Sequence, residues 1–453
     1  MVTSGTARSR RSPLWSHRDF MKLWAGDTVS VFGSQLVFFA LPLIAVSLLD
    51  ANAFQMGLLA TLESAAFLVI SLPAGAWIDR LPKKIVIVSG DIVRAAILLT
   101  IPLAWALGAL SMFQLYLVAA GVGIVTVFFD IANQSYLSEL VDGASIGDGN
   151  GKLQASQQTA GVVGPTLASG LVAAIGAPLT VGLTSVCMGL SSLVVSRIRH
   201  REAPAEPATR TGFISEIREG LGFVLGHSLL RRITACTGLT NFAASGIFAL
   251  LVLFVLTTLG LSQVQLGIIM SASAIGGILG ALSAASVQAR LGEGTSISVS
   301  AMLGGLSFFG MPLATVLPAF PTMLSASLVT GWAVVVYNVA QVSFRQRLCP
   351  KPLLGRMNAS IRFLVWGPMP LGSLLAGFLG DRLGVSTTMW ILAACSLAAS
   401  IPVLASPLLR MRTLPRELDL LSAVSDADPD RRPLSPLRRG VRACRCFRIG
   451  VRR

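Results

Sequence analysis

Long runs of apolar residues alternate with short polar stretches along most of the chain. A helix of about 20 residues spans the ~30 Å hydrocarbon core of a bilayer, and a window of that length finds twelve such runs. They cover residues 24–49, 54–77, 85–107, 112–136, 157–175, 179–195, 233–259, 266–287, 296–317, 323–344, 362–379 and 387–409. Because they are continuous and do not alternate with a period of two, they predict transmembrane helices and not the strands of a barrel.

The longest interior polar stretch, residues 197–232, divides the predicted helices into two groups of six. Within it, Phe213, Ile217, Leu221 and Val224 recur at helical spacing, which predicts an amphipathic helix at the membrane surface. The predicted organisation is a basic N-terminus at 1–22, a six-helix bundle at 23–196, a central loop at 197–232, a second six-helix bundle at 233–410 and a basic, disordered tail at 411–453.

The composition excludes a soluble protein of this length. Of 453 residues, 53% are hydrophobic and 13% are charged, whereas soluble chains carry about 25% charged residues. So few charges cannot supply a polar surface for this much apolar sequence. Six cysteines are too sparse for a disulfide scaffold. We therefore expect an all-helical integral membrane protein.

The formal net charge of +15 is explained by where the basic residues lie. All but three of the 36 Lys and Arg residues fall on the side of the predicted bundle that carries both termini. Lys and Arg are retained on the cytoplasmic side, so both termini are predicted to be cytoplasmic, in the cell membrane. The charge then indicates topology and not a nucleic-acid partner, and the arginine-rich tail is expected to bind anionic lipids.

The two groups of helices share an internal repeat. Residues Ser135, Tyr136, Leu140, Gly147 and Asn150 correspond to positions 208 residues further on, where Ser343, Phe344, Leu348, Gly355 and Asn358 stand. The segment 79–81 similarly matches 289–291 at a separation of 210 residues. Two six-helix halves related in this way are typical of transporters that rock about a site between the halves.

The loop between the second and third helices reads Gly75-Ala-Trp-Ile-Asp79-Arg80-Leu-Pro-Lys83-Lys84. It resembles the G-x-x-x-D-R-x-G-R-R/K loop of the major facilitator superfamily, with proline in place of the second glycine. The resemblance covers residues 18 to 410 and implies twelve helices in two pseudo-symmetric halves. It also implies alternating access without covalent catalysis, so we expect no enzyme activity and no cofactor, only the proton gradient as energy source.

Several short phrases resemble one branch of that superfamily, the enterobactin exporters and macrolide efflux proteins. They lie at 24–30, 72–77, 128–136 and from 345 to 360. The resemblance implies export of an amphiphilic compound, such as an antibiotic or a siderophore, by proton antiport. An importer of a small metabolite, or a membrane sensor or scaffold on the same fold, remains the alternative. We expect a monomer whose partners are the substrate, protons and lipid.

In family terms, the loop implies a gate. Asp79 would lean toward the start of the eleventh helix and lock the outward-facing state, with Gly75 permitting close helix approach. Arg80 and an acid at the inner end of the fourth helix, the place that Asp130 occupies, would complete a charge relay. The alternative is that these are solvated loop charges that only fix the topology.

Two acidic residues are candidates for proton coupling. Glu63 lies nine residues into the second helix, ~14 Å deep and so close to the midplane. An ionised carboxylate at that depth is costly, which favours a group that loads and releases protons or binds a cationic substrate. A protonated carboxyl bonded to a neighbouring helix is the alternative. Asp27, near the cytoplasmic end of the first helix, is either a second titrating acid or a hydrated charge.

Asp91 and Arg94 stand three residues apart on the third helix and can pair on one face. We interpret them as a structural ion pair, with a relay or substrate role as the alternative. On the fifth helix, Gly161, Gly164 and Pro165 predict a pliable contact between the halves. This segment resembles the family's antiporter motif, in which Gly-Pro is followed after two residues by Gly-Gly, although Ala168 and Ser169 stand here in place of that Gly-Gly.

Amide and aromatic side chains on later helices are candidates for a substrate cavity, because they bond and stack without a fixed charge. Ordinary contacts between helices are the alternative for each of them. The candidates are Asn241, Trp332, Tyr337, Asn338, Gln341 and Trp366. Arg362 is expected to extend toward the cytoplasmic headgroups.

Two segments partly match catalytic motifs, a phosphate-binding loop and a nucleophile elbow, but lack features that each motif requires. The segment Gly147–Leu153 lacks the first glycine and the Ser or Thr of a phosphate-binding loop. The pattern Gly143-Ala-Ser145-Ile-Gly147 has no preceding strand, which a nucleophile elbow requires. These departures argue against an ATP-driven pump and a membrane hydrolase.

Overall fold

The computed structural model describes residues 14–78, 81–142, 145–200, 202, 221–349 and 354–412. Its first half contains six long helices. They are α1 Arg18–Leu48, α2 Ala53–Ile78, α3 Lys83–Ala106, α4 Met112–Leu140, α5 Ile146–Ile175 and α6 Ala177–Ser196. The described part of the chain contains no strand.

Six more spans form the second half, three of them extended by a short further turn. They are α7 Ser228–Leu253 with Phe254–Thr258, α8 Gln263–Leu291, α9 Glu293–Ser307 with Gly310–Leu313, α10 Ala319–Leu348, α11 Leu354–Trp366 continuing as Pro368–Leu383, and α12 Val385–Ala398 with Ile401–Leu404. Twelve described segments are long and apolar enough to cross a membrane, which confirms the all-helical membrane fold.

Several helices extend beyond the predicted apolar runs. α5 begins at Ile146, eleven residues before the predicted start, and its 30 residues correspond to about 45 Å. Polar positions such as Asp148 and Lys152 fill this added length and pair across one turn, with Lys152 Nζ 3.1 Å from Asp148 Oδ1. Hydropathy marks only the part of a helix that lies in lipid, so it misses such extensions. In the predicted amphipathic segment, only 221–226 are described, and they are helical.

The two halves repeat the same set of helix contacts. In the first half, α1 packs on α5 and α6, α3 packs on α4 and α6, and α2 packs on α4. In the second half, α7 packs on α11 and α12, α9 packs on α10 and α12, and α8 packs on α10. Each pair is converted into its counterpart by adding six to both helix numbers, which gives the sequence repeat a structural basis.

We call the side that carries the described chain ends, Leu14 and Arg412, the proximal side, and the opposite side the distal side. On the distal side, one hydrophobic core joins both halves, from Leu36 to Met188 in the first and from Ile247 to Ala393 in the second. On the proximal side, each half has a core of its own. The halves are thus closed against each other distally and separate proximally.

On the distal side the halves meet at two close helix contacts, and these contacts occupy corresponding positions of the internal repeat. Gly57 of α2 packs on α11, where a Cβ at position 57 would lie 2.6 Å from Gly377 Cα. Gly267 of α8, 210 residues after Gly57, packs on α5, where a Cβ would lie 2.6 Å from Ser169 Cβ. Small residues let the helix backbones approach closely.

Candidate functional site

A cavity of about 760 Å³ lies between the two halves on the proximal side. Its walls come from α2 and α4 of the first half and from α7, α10 and α11 of the second. The lining residues that could bind a solute include Phe67, Asp130, Gln134, Thr237, Asn241, Asn338, Gln341, Arg345, Asn358, Arg362 and Trp366. The volume is within the range of small-molecule sites, roughly 300–1,000 Å³.

The distal end of the cavity is closed by aromatic residues from both halves. Phe67 of α2 meets Trp366 of α11 edge to face, with ring centroids 5.6 Å apart. α11 is interrupted directly after Trp366, because Gly367 is followed by Pro368 and proline supplies no backbone N–H. A Cβ at Gly367 would lie 3.1 Å from Leu68 Cδ1, so the break is also a place of close approach between the halves.

Four of the six predicted cavity residues line the cavity: Asn241, Asn338, Gln341 and Trp366. The other two make contacts between helices. The Trp332 indole N–H donates to Ser283 Oγ of α8 at 2.9 Å. The buried Tyr337 hydroxyl is 2.7 Å from Thr237 Oγ1 of α7. For these two, the structure favours the packing alternative.

A polar cluster is buried behind the first-half wall. The amide of Asn133 donates to Asp27 Oδ1 at 2.6 Å, and Asp27 is 3% exposed. The other carboxylate oxygen, Asp27 Oδ2, is buried without a hydrogen-bond partner among the described residues. Asp27 is therefore not simply a hydrated charge, because it is enclosed and has one oxygen available for a proton.

Asp91 and Arg94 form the predicted ion pair within α3, in direct contact. Ser30 Oγ of α1 donates to Asp91 Oδ1 at 3.1 Å, and the Arg94 guanidinium stacks 4.0 Å from the Phe129 ring centroid. Both charged residues are at most 3% exposed. The pair thus joins α1, α3 and α4, which is the arrangement expected of a structural ion pair.

Asp130 connects this cluster with the cavity. Its side chain lines the first-half wall and lies within electrostatic range of Arg94 on one side and Arg362 on the other. Asp79 and Arg80, its predicted partners in a charge relay, lie outside the described residues. Gly75 lies in α2, and its surroundings are likewise outside them.

Glu63 lies near the middle of α2, one helical turn distal to Phe67. The α2 backbone at this position packs against α4, where a Cβ at Gly123 would lie 2.6 Å from the Glu63 carbonyl oxygen. No described residue forms a hydrogen bond or an ion pair with its carboxylate. The alternative of a carboxyl bonded to a neighbouring helix therefore finds no partner within the described part of the chain.

The predicted hinge on α5 has two different environments. Gly164 packs closely on α1, where a Cβ would lie 2.6 Å from Gln35 Cβ, whereas a Cβ at Gly161 would meet nothing within 4 Å. Pro165 lies inside the continuous helix, and its carbonyl oxygen would be 2.8 Å from a Cβ at Gly267. Gly267 on α8, which has no side chain, thus permits the close approach of α8 to α5 at Pro165 and Ser169.

Sequence reasoning missed two cationic residues of the second-half wall. Arg362 lines the cavity, its guanidinium 5.1 Å from the Trp366 ring centroid, instead of extending to the headgroups. Arg345 lines the cavity near the end of α10. A helical spacing of three and four residues, from Asn338 to Gln341 to Arg345, was the available signal.

Comparison with known proteins assigns the fold to a family. Residues 23–367 match the Major Facilitator Superfamily, and the chain belongs to it. It is therefore a multi-pass membrane transporter and not an enzyme. The multidrug efflux pump Tap of Mycobacterium tuberculosis (strain ATCC 25618 / H37Rv) is 29% identical over 90% of this chain and 94% of its own length. The enterobactin exporter EntS of Salmonella typhi is 22% identical, over 77% of this chain and 82% of its own.

Solved structures show the same fold. A bacterial homologue of the iron transporter ferroportin in an inward-facing state superposes with a TM-score of 0.68 at 16% identity, over 87% of this chain and 99% of its own. A bacterial homologue of the lysosomal transporter Spinster, inward-facing and occupied, gives 0.67 at 14% identity, over 87% and 97%. Twelve-helix architecture and the resemblance to the efflux branch are thus confirmed.

Proposed function

We propose that this chain is a proton-coupled exporter of a small amphiphilic compound and that it works by alternating access. The observation that carries the proposal is the cavity between the halves, closed distally by one shared core and bordered proximally by two separate cores. Rocking the halves about this cavity would expose its contents to the two sides in turn. The cavity wall combines amides, aromatic rings and charges, which suits an amphiphile.

The direction of transport is supported by charge placement and by relatives. The basic residues of the connections lie on the proximal side, which by the positive-inside rule is cytoplasmic. A cavity reached from the cytoplasm is the starting point for export. Tap and EntS, which match most of the chain, are an efflux pump and an exporter by name.

Proton coupling is proposed for Glu63 and Asp27. Both are carboxyl groups inside the first half, and neither has an ion-pair partner among the described residues. Such a group can change between a neutral and an ionised state, and it can couple transport if each conformation exposes it to a different side. Asp91, held by Arg94, is less suited to this exchange. Gly75, Asp79, Arg80 and Asp130 are proposed to gate the movement.

The test measures retention of a panel of amphiphilic dyes, macrolides and catecholate siderophores in cells that lack their own exporters. The cells express the wild type, Glu63→Gln, Asp27→Asn, or the control Asp381→Asn. Asp381 is an exposed acid at the distal end of α11, so its substitution removes a carboxylate outside the cavity. Equal amounts of each variant in the membrane are shown by immunoblotting.

We expect the wild type and D381N to lower retention of at least one compound, and an uncoupler to abolish the effect. E63Q or D27N should abolish it as well. If an uncoupler has no effect on expulsion, the chain exports without proton coupling. If no retention changes, export is contradicted, and uptake measured in the same cells distinguishes an importer from a sensor.

A further inference from the structure

The charges that line the cavity are unequally divided between its two walls. The first-half wall contributes one ionisable residue, Asp130, and the second-half wall contributes two, Arg345 and Arg362. Asp130 already lies within range of Arg94 behind the wall. The described cavity therefore has a surplus of positive charge, confined to the second-half wall.

Arg345 belongs to a row of polar side chains along one face of α10. Asn338, Gln341 and Arg345 are spaced by three and four residues, so they follow one another over about 10 Å of helix. Arg345 is only partly exposed, and its Nε is buried without a hydrogen-bond partner among the described residues. Gln341 Oε1 is likewise buried without a hydrogen-bond partner among the described residues. The row can thus still donate and accept hydrogen bonds.

Arg362 places a cation beside an aromatic face. Its guanidinium stacks on Trp366, which in turn meets Phe67 across the halves. A flat ring that enters between these aromatic residues would bring an acidic substituent next to Arg362. Guanidinium groups bind carboxylate and phenolate oxygens through charge-assisted hydrogen bonds.

We infer that the substrate of this transporter is an amphiphilic anion, an aromatic carboxylate or phenolate, whose acidic group is bound by Arg345 and Arg362 while its ring packs against Phe67 and Trp366. The inference rests on the proposed function, because it specifies the solute that the cavity would carry. It distinguishes this cavity from one that selects lipophilic cations, which would place its surplus charge on carboxylates.

The test compares two dyes that share a xanthene ring system with a pendant phenyl ring. Fluorescein is an anion near neutral pH, and rhodamine 123 is a cation. Binding of each to the purified full chain in detergent is followed by fluorescence polarisation, for the wild type, for Arg345→Gln, Arg362→Gln and Arg382→Gln, and for the conservative variants Arg345→Lys and Arg362→Lys. Arg382 is the matched control, since it lies on the same helix as Arg362 and stacks on Phe378 at 5.2 Å, at the distal end of α11.

We expect fluorescein to bind the wild type at least about tenfold more tightly than rhodamine 123. R345Q and R362Q should each weaken fluorescein binding by about tenfold, R382Q should not, and R345K and R362K should retain part of the affinity. Thermal unfolding of each variant near the wild-type temperature shows that the loss is not one of folding.

The inference is overturned if rhodamine 123 binds as tightly as fluorescein, if neither dye binds, or if the glutamine variants leave fluorescein binding unchanged. Export itself is judged by the cell retention assay. A chain that expels cationic dyes there but prefers no anion here remains an exporter and loses only the anion site.

Discussion

The two halves of this transporter share a scaffold and differ in what they bury. Where α3 carries the Asp91–Arg94 pair, α9 carries Ala301 and Gly304, 210 residues further on. Where Asp27 of α1 is bonded to Asn133, the related Thr237 of α7 is bonded to the Tyr337 hydroxyl. Among the described residues, the buried carboxylates Asp27 and Asp91 thus belong to the first half, and the two cavity cations, Arg345 and Arg362, belong to the second.

This difference shows that pseudo-symmetry extends to the packing and not to the chemistry. Rocking requires that the two interfaces between the halves match, and Gly57 and Gly267 meet that requirement. Proton exchange and substrate binding need different groups, so each half can specialise. On our proposals, the first half exchanges protons and the second binds the anion.

The largest effect should come from breaking the buried pair that only the first half has. Asp91→Ala leaves the Arg94 guanidinium buried without its counterion, which costs about 3–5 kcal/mol of stability. The double variant D91L/R94M should lose less, because it buries no charge. Thermal unfolding of the detergent-purified chain measures both. If D91A unfolds at the wild-type temperature, the pair is not structural, and the relay interpretation returns.

The matched interfaces can be tested by enlarging either glycine. Gly57→Leu and Gly267→Leu each place a side chain against backbone or Cβ atoms at 2.6 Å, which should destabilise distal closure by about 1–3 kcal/mol. We expect G57L and G267L to reduce export to the same extent. A hydrophilic maleimide should also react more slowly from the proximal side with a cysteine introduced by Asn338→Cys.

Gly161→Ala is the control for these variants, because a Cβ at Gly161 meets nothing within 4 Å. It should export at the wild-type rate. Unequal effects of G57L and G267L would show that the two interfaces do not contribute equally to closure.

The first helix of each half is capped by a histidine, and the caps differ in burial. His17 Nδ1 accepts from Phe20 N at 3.1 Å in an exposed position. His227, 210 residues later, accepts from Leu230 N at 3.4 Å and is 2% exposed. Burial lowers the pKa of His227 from 6.5 to about 4, because the protonated ring would lose its hydration.

Acidification should therefore destabilise the second half first. Between pH 6.5 and 4, the unfolded chain binds a proton at His227 that the folded chain does not, so stability is retained above pH 6.5 and falls as the pH is lowered. By pH 5 the loss is about 2 kcal/mol. His227→Asn keeps a capping acceptor and should reduce the shift in unfolding temperature, whereas His17→Asn should not. Identical pH profiles for all three chains would contradict this.

The smallest effect concerns an ion pair whose basic and acidic partners exchange helices between the two halves. Lys83 at the start of α3 pairs with Glu139 of α4, while the related Glu293 of α9 pairs with Arg347 of α10 at 2.7 Å. Arg347→Glu puts two acids together and should cost up to about 1 kcal/mol, since both side chains are partly exposed. The exchange E293K/R347E adopts the first half's orientation and should recover stability in thermal unfolding. If E293K/R347E is no more stable than R347E, the surroundings of each pair determine which helix carries the cation.

The sequence alone determined the membrane class, the number of spans, the repeat and the family. These follow from the bilayer, which requires about 20 apolar residues for each span and a hydrogen-bonded backbone within it. The Asp91–Arg94 pair could also be predicted from the sequence, because residues three apart on a helix share a face. Helix ends that extend beyond the apolar run, such as the start of α5 at Ile146, could not be predicted, because they carry no hydropathy signal.

Only the tertiary structure decided which polar residues share the cavity. Trp332 and Trp366 are alike in sequence terms, yet Trp332 bonds to Ser283 and Trp366 closes the cavity. The sequence predicts that Arg362 extends to the headgroups, whereas in the structure α11 lies across the cavity from α4 and Arg362 lines that cavity. The reason is physical. A cavity wall depends on how helices from the two halves are rotated and spaced, and that is set by packing between residues more than 300 positions apart, such as Thr61 and the Pro370 carbonyl at 3.1 Å.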